Sequence, residues 1–146
     1  MNPILVVDDE FEMRAALTEV LSRDGYDVEA VSSGSDALKK VHERPFALLI
    51  TDVKMPRMNG LELLREVRRQ APALPVLMMT AYGTIEDAVE AMREGARDYV
   101  LKPFTREMLS TVVRRAVEGD RPDAMPGGGN GRSRRREFVT QDPGMQ

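Results

Sequence analysis

Five residues that can bind a metal or react with a phosphoryl group stand at the ends of short apolar segments. They are Asp8, Asp9, Asp52, Thr80 and Lys102. Clustered carboxylates raise one another's proton affinity unless a cation neutralises them. Oxygen ligands without histidine or cysteine favour a hard ion, so this set predicts a Mg²⁺ site rather than a site for a softer metal.

A magnesium ion, carboxylates, a lysine and a hydroxyl together make a receptacle for a phosphoryl group. The metal and the ammonium offset the charge of the phosphoryl oxygens, and one carboxylate can attack phosphorus. Asp52 is the preferred nucleophile because it stands alone after a strand that we expect to be central, whereas Asp8 and Asp9 suit metal ligation. Taken singly, an Asp after a strand is explained equally well as a turn residue or a helix cap. The prediction therefore depends on all five residues meeting at one place.

The apolar segments alternate with segments of helical periodicity up to residue 118. The predicted strands are 4–7, 28–31, 46–51, 75–80 and 98–101, and the predicted helices are 11–23, 36–43, 60–70, 84–93 and 105–118. This order of strands and helices predicts an α/β fold with a parallel sheet and helices on both faces. Because functional sites of open parallel sheets lie at the carboxyl ends of the strands, we expect the polar residues at one edge.

The composition excludes several classes of protein. The 146 residues include no cysteine, one histidine (His42) and 21 Lys+Arg against 24 Asp+Glu, for a net charge of −3. Without cysteine there is no disulfide framework or thiolate zinc site, and one histidine cannot form a multi-histidine metal centre. No apolar run approaches the ~20 residues of a membrane span, and the N-terminus lacks the basic region of a secretory signal. These features predict a cytoplasmic protein without a membrane partner.

The composition changes after Glu118. Residues 119–131 are rich in glycine and proline, as flexible linkers are, and arginines cluster at 132–136. The arginines suit either a solvated linker or a contact with DNA phosphates. We therefore expect one folded domain over residues 1–118 and a linker over 119–137.

Four sequence blocks together resemble the receiver domain of bacterial two-component response regulators. These blocks are VVDDE at 6–10, DVKMPRMNG at 52–60, MTAYG at 79–83 and DYVLKPF at 98–104. The resemblance covers residues 3–118 and implies a flavodoxin-like, doubly wound fold with a five-stranded parallel sheet. It also implies that Asp52 accepts a phosphoryl group from the phosphohistidine of a sensor histidine kinase.

The same resemblance implies a set of metal ligands. Asp9 would bind Mg²⁺ directly, together with Asp52, and Asp8 would assist through water. The main-chain carbonyl of Lys54 would complete the ligands that the protein supplies.

The resemblance further implies how the site responds to phosphorylation. Lys102 and Thr80 would engage the phosphoryl oxygens, and Tyr99 would be the switch aromatic that changes rotamer as Thr80 moves. From the residues alone, an ordinary half-buried strand aromatic is an equal alternative for Tyr99. The peptide bond between Lys102 and Pro103 would be cis.

A finer resemblance concerns the segment 79–92, which is similar to receivers of sigma-54-dependent transcriptional activators, flagellar regulators among them. The segment FVTQDPGMQ at 138–146 resembles the opening of the AAA+ ATPase domain that follows the receiver in those activators. The chain would then comprise a receiver domain at 1–118, a linker at 119–137 and the truncated start of an AAA+ domain at 138–146. It contains no phosphate-binding glycine loop with a lysine, so it is not itself the ATPase.

Three functions compete for this sequence. The leading one is a phosphorylation-controlled signalling module rather than an enzyme, and it implies several partners: a sensor histidine kinase, a downstream AAA+ domain, a second copy after phosphorylation, and DNA only through domains absent from this chain. An alternative is a Mg²⁺-dependent aspartyl-phosphate phosphatase or phosphotransferase, but such enzymes generally need an acid where this chain has Lys54. A pseudo-receiver that serves only for docking would be expected to lack an acid or Lys102, and none is lost.

Overall fold

A computed structural model describes residues 1–81 and 84–119. The chain alternates strands and helices in the predicted order. The elements are β1 (Ile4–Val7), α1 (Phe11–Arg23), β2 (Val28–Val31), α2 (Gly34–Glu43), β3 (Leu48–Asp52), α3 (Gly60–Gln70), β4 (Val76–Thr80), α4 (Ile85–Arg93), β5 (Asp98–Leu101) and α5 (Arg106–Glu118).

The strands form one parallel sheet in the order β2-β1-β3-β4-β5, which makes β3 the central strand. Along β1, Leu5 and Val7 pack into one core while Ile4 and Val6 pack into the other, as the alternation of side chains in a strand requires. Residues of α2, α3 and α4 belong to the first core, and residues of α1 and α5 to the second. Every residue of β1, β3 and β4 is buried, which explains their continuous apolar sequences. The predicted doubly wound fold is confirmed.

Two predicted strands begin later in the structure than in the sequence analysis. The segment predicted as 46–51 is β3 at Leu48–Asp52, and 75–80 is β4 at Val76–Thr80. A proline precedes the first ladder pair in each case: Pro3 stands before the Ile4–Leu48 pair, and Pro75 before β4. The carbonyls of Pro3 and Pro75 still accept hydrogen bonds from the amides of Ala47 and Leu49. Because proline has no N–H to donate, neither residue can complete a ladder pair.

Helix termini agree with the sequence except in α2. Thr84 and Thr105, at which the predicted helices 84–93 and 105–118 begin, accept hydrogen bonds from backbone amides of the first turns of α4 and α5 and are their N-caps. Helix α2 begins at residue 34 instead of 36, because Ser33 accepts a hydrogen bond from the Asp36 amide and acts as its cap. Gly95 follows α4 with a φ of 106°, a conformation that favours glycine.

The apolar stripe of α4 lies largely on the surface, contrary to the expectation from its periodicity. Ala91 is the buried residue of this helix, whereas Ile85 is 86% exposed. Other exposed apolar side chains lie on α4, on the edge strand β5 and on α5. We call this group the α4–β5–α5 apolar surface; its members are Ile85, Val89, Met92, Leu101 and Met108. Among the described residues, no helix has both the length and the apolar character needed to cross a membrane.

Candidate functional site

Three carboxylates meet at the carboxyl edge of the sheet. Val7 of β1 pairs with Thr51 of β3, so the residues that follow them, Asp8 and Asp52, end neighbouring strands side by side. Ligand oxygens of Asp8, Asp9 and Asp52 all lie within 4.8 Å of one another. Asp8 is fully buried and Asp52 is nearly so, whereas Asp9 is exposed. The cluster is therefore anchored in the core and open to solvent on one side.

Lys102 brings a positive charge to this cluster from the far edge of the sheet. Its Nζ atom lies 3.0 Å from Oδ2 of Asp52 and 3.4 Å from Oδ2 of Asp8. The Lys102 amide donates to the Thr80 carbonyl at 2.8 Å, which ties the end of β5 to the end of β4. The peptide bond between Lys102 and Pro103 is cis, as expected.

Burial and the neighbouring charges shift the pKa values of Asp8 and Lys102. Burial raises the pKa of Asp8 above its ordinary value, and the charge of Asp52 adds to this, although the Glu10 amide and Lys102 oppose it. Burial alone would lower the pKa of Lys102, but the hydrogen bond and charge of Asp52, with those of Asp8, outweigh it and leave this pKa raised. Lys102 is therefore positively charged at neutral pH. The negative charge of the buried Asp8 is only partly compensated, and a further cation would stabilise it.

The backbone after β3 holds Asp52 in place. The Lys54 amide donates to Oδ1 of Asp52 at 3.1 Å, and the Thr51 hydroxyl donates to the Asp52 carbonyl at 3.0 Å. The side chain of Lys54 is exposed, so its contribution to the described site is through its backbone.

Gly60 is a positioning residue that the sequence analysis missed. It begins α3, and its amide donates to the Val53 carbonyl at 2.8 Å. A Cβ atom on Gly60 would overlap the Asp52 carbonyl oxygen and stand 2.8 Å from Cα of Val53. The Asn-Gly pair at the start of a predicted helix was the available signal, but it reveals nothing of what approaches the glycine.

The two residues predicted to respond to phosphorylation lie on adjacent strands. Thr80 is buried at the end of β4, at the same edge as the carboxylates. Tyr99 of β5 pairs with Met78, and its phenol oxygen is buried without a hydrogen-bond partner in the described part of the chain. Burial raises the pKa of Tyr99, as do the charges of Asp87 and Asp52.

The structure thus brings Asp8, Asp9, Asp52 and Lys102 into one cluster and puts Thr80 at the same edge. Other predicted features lie outside the described residues. They are Tyr82 and Gly83 of the block at 79–83, the linker beyond residue 119, the arginines at 132–136 and the segment 138–146.

Comparison with known proteins assigns the chain to a family. The model of the response regulator receiver domain matches residues 4–114. The response regulator protein FleR of Pseudomonas aeruginosa is 44% identical over 119 residues, which are 82% of this chain and 25% of FleR. The transcriptional regulatory protein ZraR of Escherichia coli O157:H7 is 43% identical over 114 residues, 78% of this chain and 26% of ZraR.

Solved structures give the same assignment. The receiver domain of NtrX from Brucella abortus superposes with a TM-score of 0.76 at 39% identity, covering 79% of this chain and 98% of that one. The chain therefore belongs to the receiver domain family of two-component response regulators. It spans about a quarter of the length of the curated relatives FleR and ZraR.

Proposed function

We propose that this receiver domain is a phosphorylation-dependent switch in which Asp52 accepts a phosphoryl group from the phosphohistidine of a sensor histidine kinase. The observation that carries the proposal is the Asp52 carboxylate, which has Lys102 at 3.0 Å and two further carboxylates within 4.8 Å. An Asp that served only as a turn residue or helix cap after a strand would not require a lysine and two carboxylates beside it.

The residues of the cluster fit a magnesium ion. The three side chains offer carboxylate oxygens, the hard ligands that Mg²⁺ prefers, and the exposed Asp9 leaves room for the waters that Mg²⁺ retains. Asp9, Asp52 and the carbonyl of Lys54 would hold the ion, with Asp8 acting through water. When bound, the ion would offset the negative charge of the phosphoryl oxygens and of the carboxylates.

Residues of the chain itself orient Asp52 and bind the oxygens of the incoming phosphoryl group. The Lys54 amide holds Oδ1 of Asp52 while Oδ2 lies beside Lys102, so the carboxylate is fixed in one orientation. A bond forms between an Asp52 oxygen and phosphorus as the bond from phosphorus to the histidine nitrogen breaks, and the donor imidazole leaves. Lys102 is then placed to pair with a phosphoryl oxygen, and Thr80 to hydrogen-bond another.

The enzyme alternative is less well supported than the switch. An aspartyl-phosphate phosphatase would need an acidic side chain two residues after Asp52, and the residue there is Lys54, which has none. The pseudo-receiver alternative is disfavoured because the acids and Lys102 are all present and in contact. The domain would accordingly act as a regulator that catalyses at most its own phosphorylation and dephosphorylation.

The output of the switch would pass through Thr80 and Tyr99 to the α4–β5–α5 apolar surface. This surface is exposed in the single chain, and we expect it to pair with a second copy after phosphorylation. The similarity of the segments 79–92 and 138–146 to sigma-54-dependent activators favours an AAA+ domain as the downstream partner, with DNA contacted only by further domains. Such a regulator would work in the cytoplasm.

Intact mass spectrometry tests the proposal directly. The parent chain, incubated with Mg²⁺ and acetyl phosphate, should gain one phosphoryl group, whereas Asp52→Asn should gain none. Asp24→Asn is a matched control, since Asp24 lies at the C-terminal end of α1 and bonds Ser110 rather than the site. Equal uptake by the Asp52→Asn variant would contradict the proposal, and sustained release of phosphate from small phosphate esters would support the enzyme alternative.

A further inference from the structure

The loop that carries Asp8 and Asp9 enters α1 without the usual cap. Ser33, Asn59, Thr84 and Thr105 cap the other four helices with side-chain oxygens, but Glu10, at the N-cap of α1, makes no such bond. Something else must therefore fix the path of the backbone between β1 and α1.

Arg14 makes the contact that fills this role. Its guanidinium donates from a terminal nitrogen to the main-chain carbonyl of Asp8 at 2.7 Å, reaching back six residues from α1. The ring of Phe11, one turn earlier, lies 5.7 Å from the Arg14 guanidinium carbon and restricts its position. On the other side of the loop, the Glu10 amide donates to Oδ1 of Asp8 at 2.9 Å.

The bonded carbonyl belongs to the peptide group that joins Asp8 to Asp9. Because a peptide group is planar, a hydrogen bond to its oxygen restricts the rotation of the plane that contains the Cα atoms of both residues. The direction in which each carboxylate leaves the backbone depends on that plane. Asp9 has an exposed side chain and depends on this support more than the buried Asp8 does.

We infer that Arg14 is a positioning residue for the metal-binding carboxylates, acting through the Asp8 carbonyl and not through its charge. This inference rests on the proposed function, since it gives Asp8 and Asp9 the metal role proposed above. The two ways in which Arg14 could act have opposite consequences. An arginine that acted only by charge would repel a cation, so its removal would tighten Mg²⁺ binding, whereas loss of a positioning bond would weaken it.

Titration of the chain with Mg²⁺, followed by the backbone amide NMR signals of residues 8–10 and 52–54, separates these cases. We expect Arg14→Met, which keeps an apolar stem but loses the donor, to weaken Mg²⁺ binding about tenfold, the lower end of the range for outer-shell partners of metal ligands. Arg14→Lys, which retains a charge and a donor, should restore part of the loss. Arg23→Met is the matched control: Arg23 lies on the same helix, pairs only with Glu19 among the described residues, and should leave the affinity unchanged.

A second measurement guards against a merely structural effect. With acetyl phosphate as donor, the Arg14→Met variant should need more Mg²⁺ to reach half of its maximal phosphorylation rate, but the rate at saturating Mg²⁺ should match the parent, because Asp52 and Lys102 are untouched. Mg²⁺ binding by Arg14→Met that is equal to or tighter than that of the parent would overturn the role of Arg14, and so would an equal loss of Mg²⁺ affinity in Arg23→Met. Neither result would contradict the proposed function. A parent chain that binds no Mg²⁺ would overturn the proposed function and this role with it.

Discussion

Lys102 and Asp52 form an ion pair of 3.0 Å between the last strand of the sheet and its central strand, although they stand 50 positions apart in the chain. The side chains of both are largely buried. Such a pair is a weak source of net stability because both ions lose water, but removing one partner leaves a buried charge without compensation. The contact therefore joins two residues of the candidate site and is a point where substitution affects the stability of the fold.

Replacement of Lys102 by Met should destabilise the domain. The change leaves the charges of Asp8 and Asp52 facing each other without a cation, at a cost of about 1–3 kcal/mol in the free energy of unfolding. Urea denaturation in the absence of Mg²⁺ would measure this cost. Lys39→Met on the surface helix α2 is the control, and a Lys102→Met variant as stable as that control would contradict the prediction.

Replacement of Gly60 by Ala should damage the Asp52 site. The added methyl group would collide with the backbone of Asp52 and Val53, which cannot move away without shifting Asp52, the proposed nucleophile. We expect a loss of stability of about 1–3 kcal/mol and a slower uptake of phosphate from acetyl phosphate. Gly34→Ala provides the comparison, because the atoms nearest to the methyl group there belong to the flexible side chain of Met58 and not to the backbone. Similar effects of the two substitutions would count against this account of Gly60.

Replacement of Asp98 by Asn should stabilise the domain at neutral pH. Burial raises the pKa of Asp98, although the Tyr99 amide and Arg115 oppose the shift. The folded state thus disfavours the charged form, and this penalty is present above the folded pKa and absent below the unfolded value of about 3.9. The asparagine oxygen can still accept the 2.8 Å bond from the Tyr99 amide.

Thermal unfolding from pH 7 down to pH 3 would check this sign. The melting temperature of Asp98→Asn should exceed that of the parent at pH 7, and the difference should shrink toward zero as the pH falls. A difference that grows on acidification would be the opposite of what the burial of Asp98 predicts.

Replacement of Tyr99 by Phe should leave the fold intact and stabilise it. The phenol oxygen is buried without a hydrogen-bond partner in the described part of the chain, and such a group costs about 1–3 kcal/mol of desolvation. The variant should therefore gain about 1 kcal/mol in the free energy of unfolding. A clear loss of stability in chemical denaturation would mean that the hydroxyl has a partner in solution.

Replacement of Ile85 by Ser should weaken self-association and leave the stability of the domain almost unchanged. Ile85 is 86% exposed, so the free energy of unfolding should change by less than about 0.5 kcal/mol. Light scattering with beryllofluoride, which stands in for the phosphoryl group, should detect a dimer of the parent and a weaker dimer of the variant. Phe11→Ser removes an apolar side chain that is 72% exposed on α1. It should not alter association when Mg²⁺ is saturating, so that its contact with Arg14 does not limit the site. Equal dimerisation by all three chains would leave the α4–β5–α5 apolar surface without this role.

The sequence by itself determined the order of the elements and the edge of the sheet at which the candidate site residues lie. Burial on both faces of a parallel sheet requires continuous apolar strands, and such strands are visible as short runs such as Ile4–Val7. The polar residue that ends each run marks the carboxyl edge, so Asp8, Asp52 and Lys102 were predicted together. These features depend on the local pattern of residues, which a single sequence contains.

Only the tertiary structure decided which of the site residues are buried and which are exposed. Asp8 and Asp9 are identical and adjacent in sequence, yet one is fully buried and the other exposed, because the path of the backbone between β1 and α1 turns them to different sides. The close approach of Gly60 to Asp52 joins two parts of a loop whose conformation the sequence does not reveal. The exposure of Ile85 on an amphipathic helix likewise depends on what packs against α4. Burial and contact are properties of neighbours brought together by the whole fold, and local periodicity does not contain them.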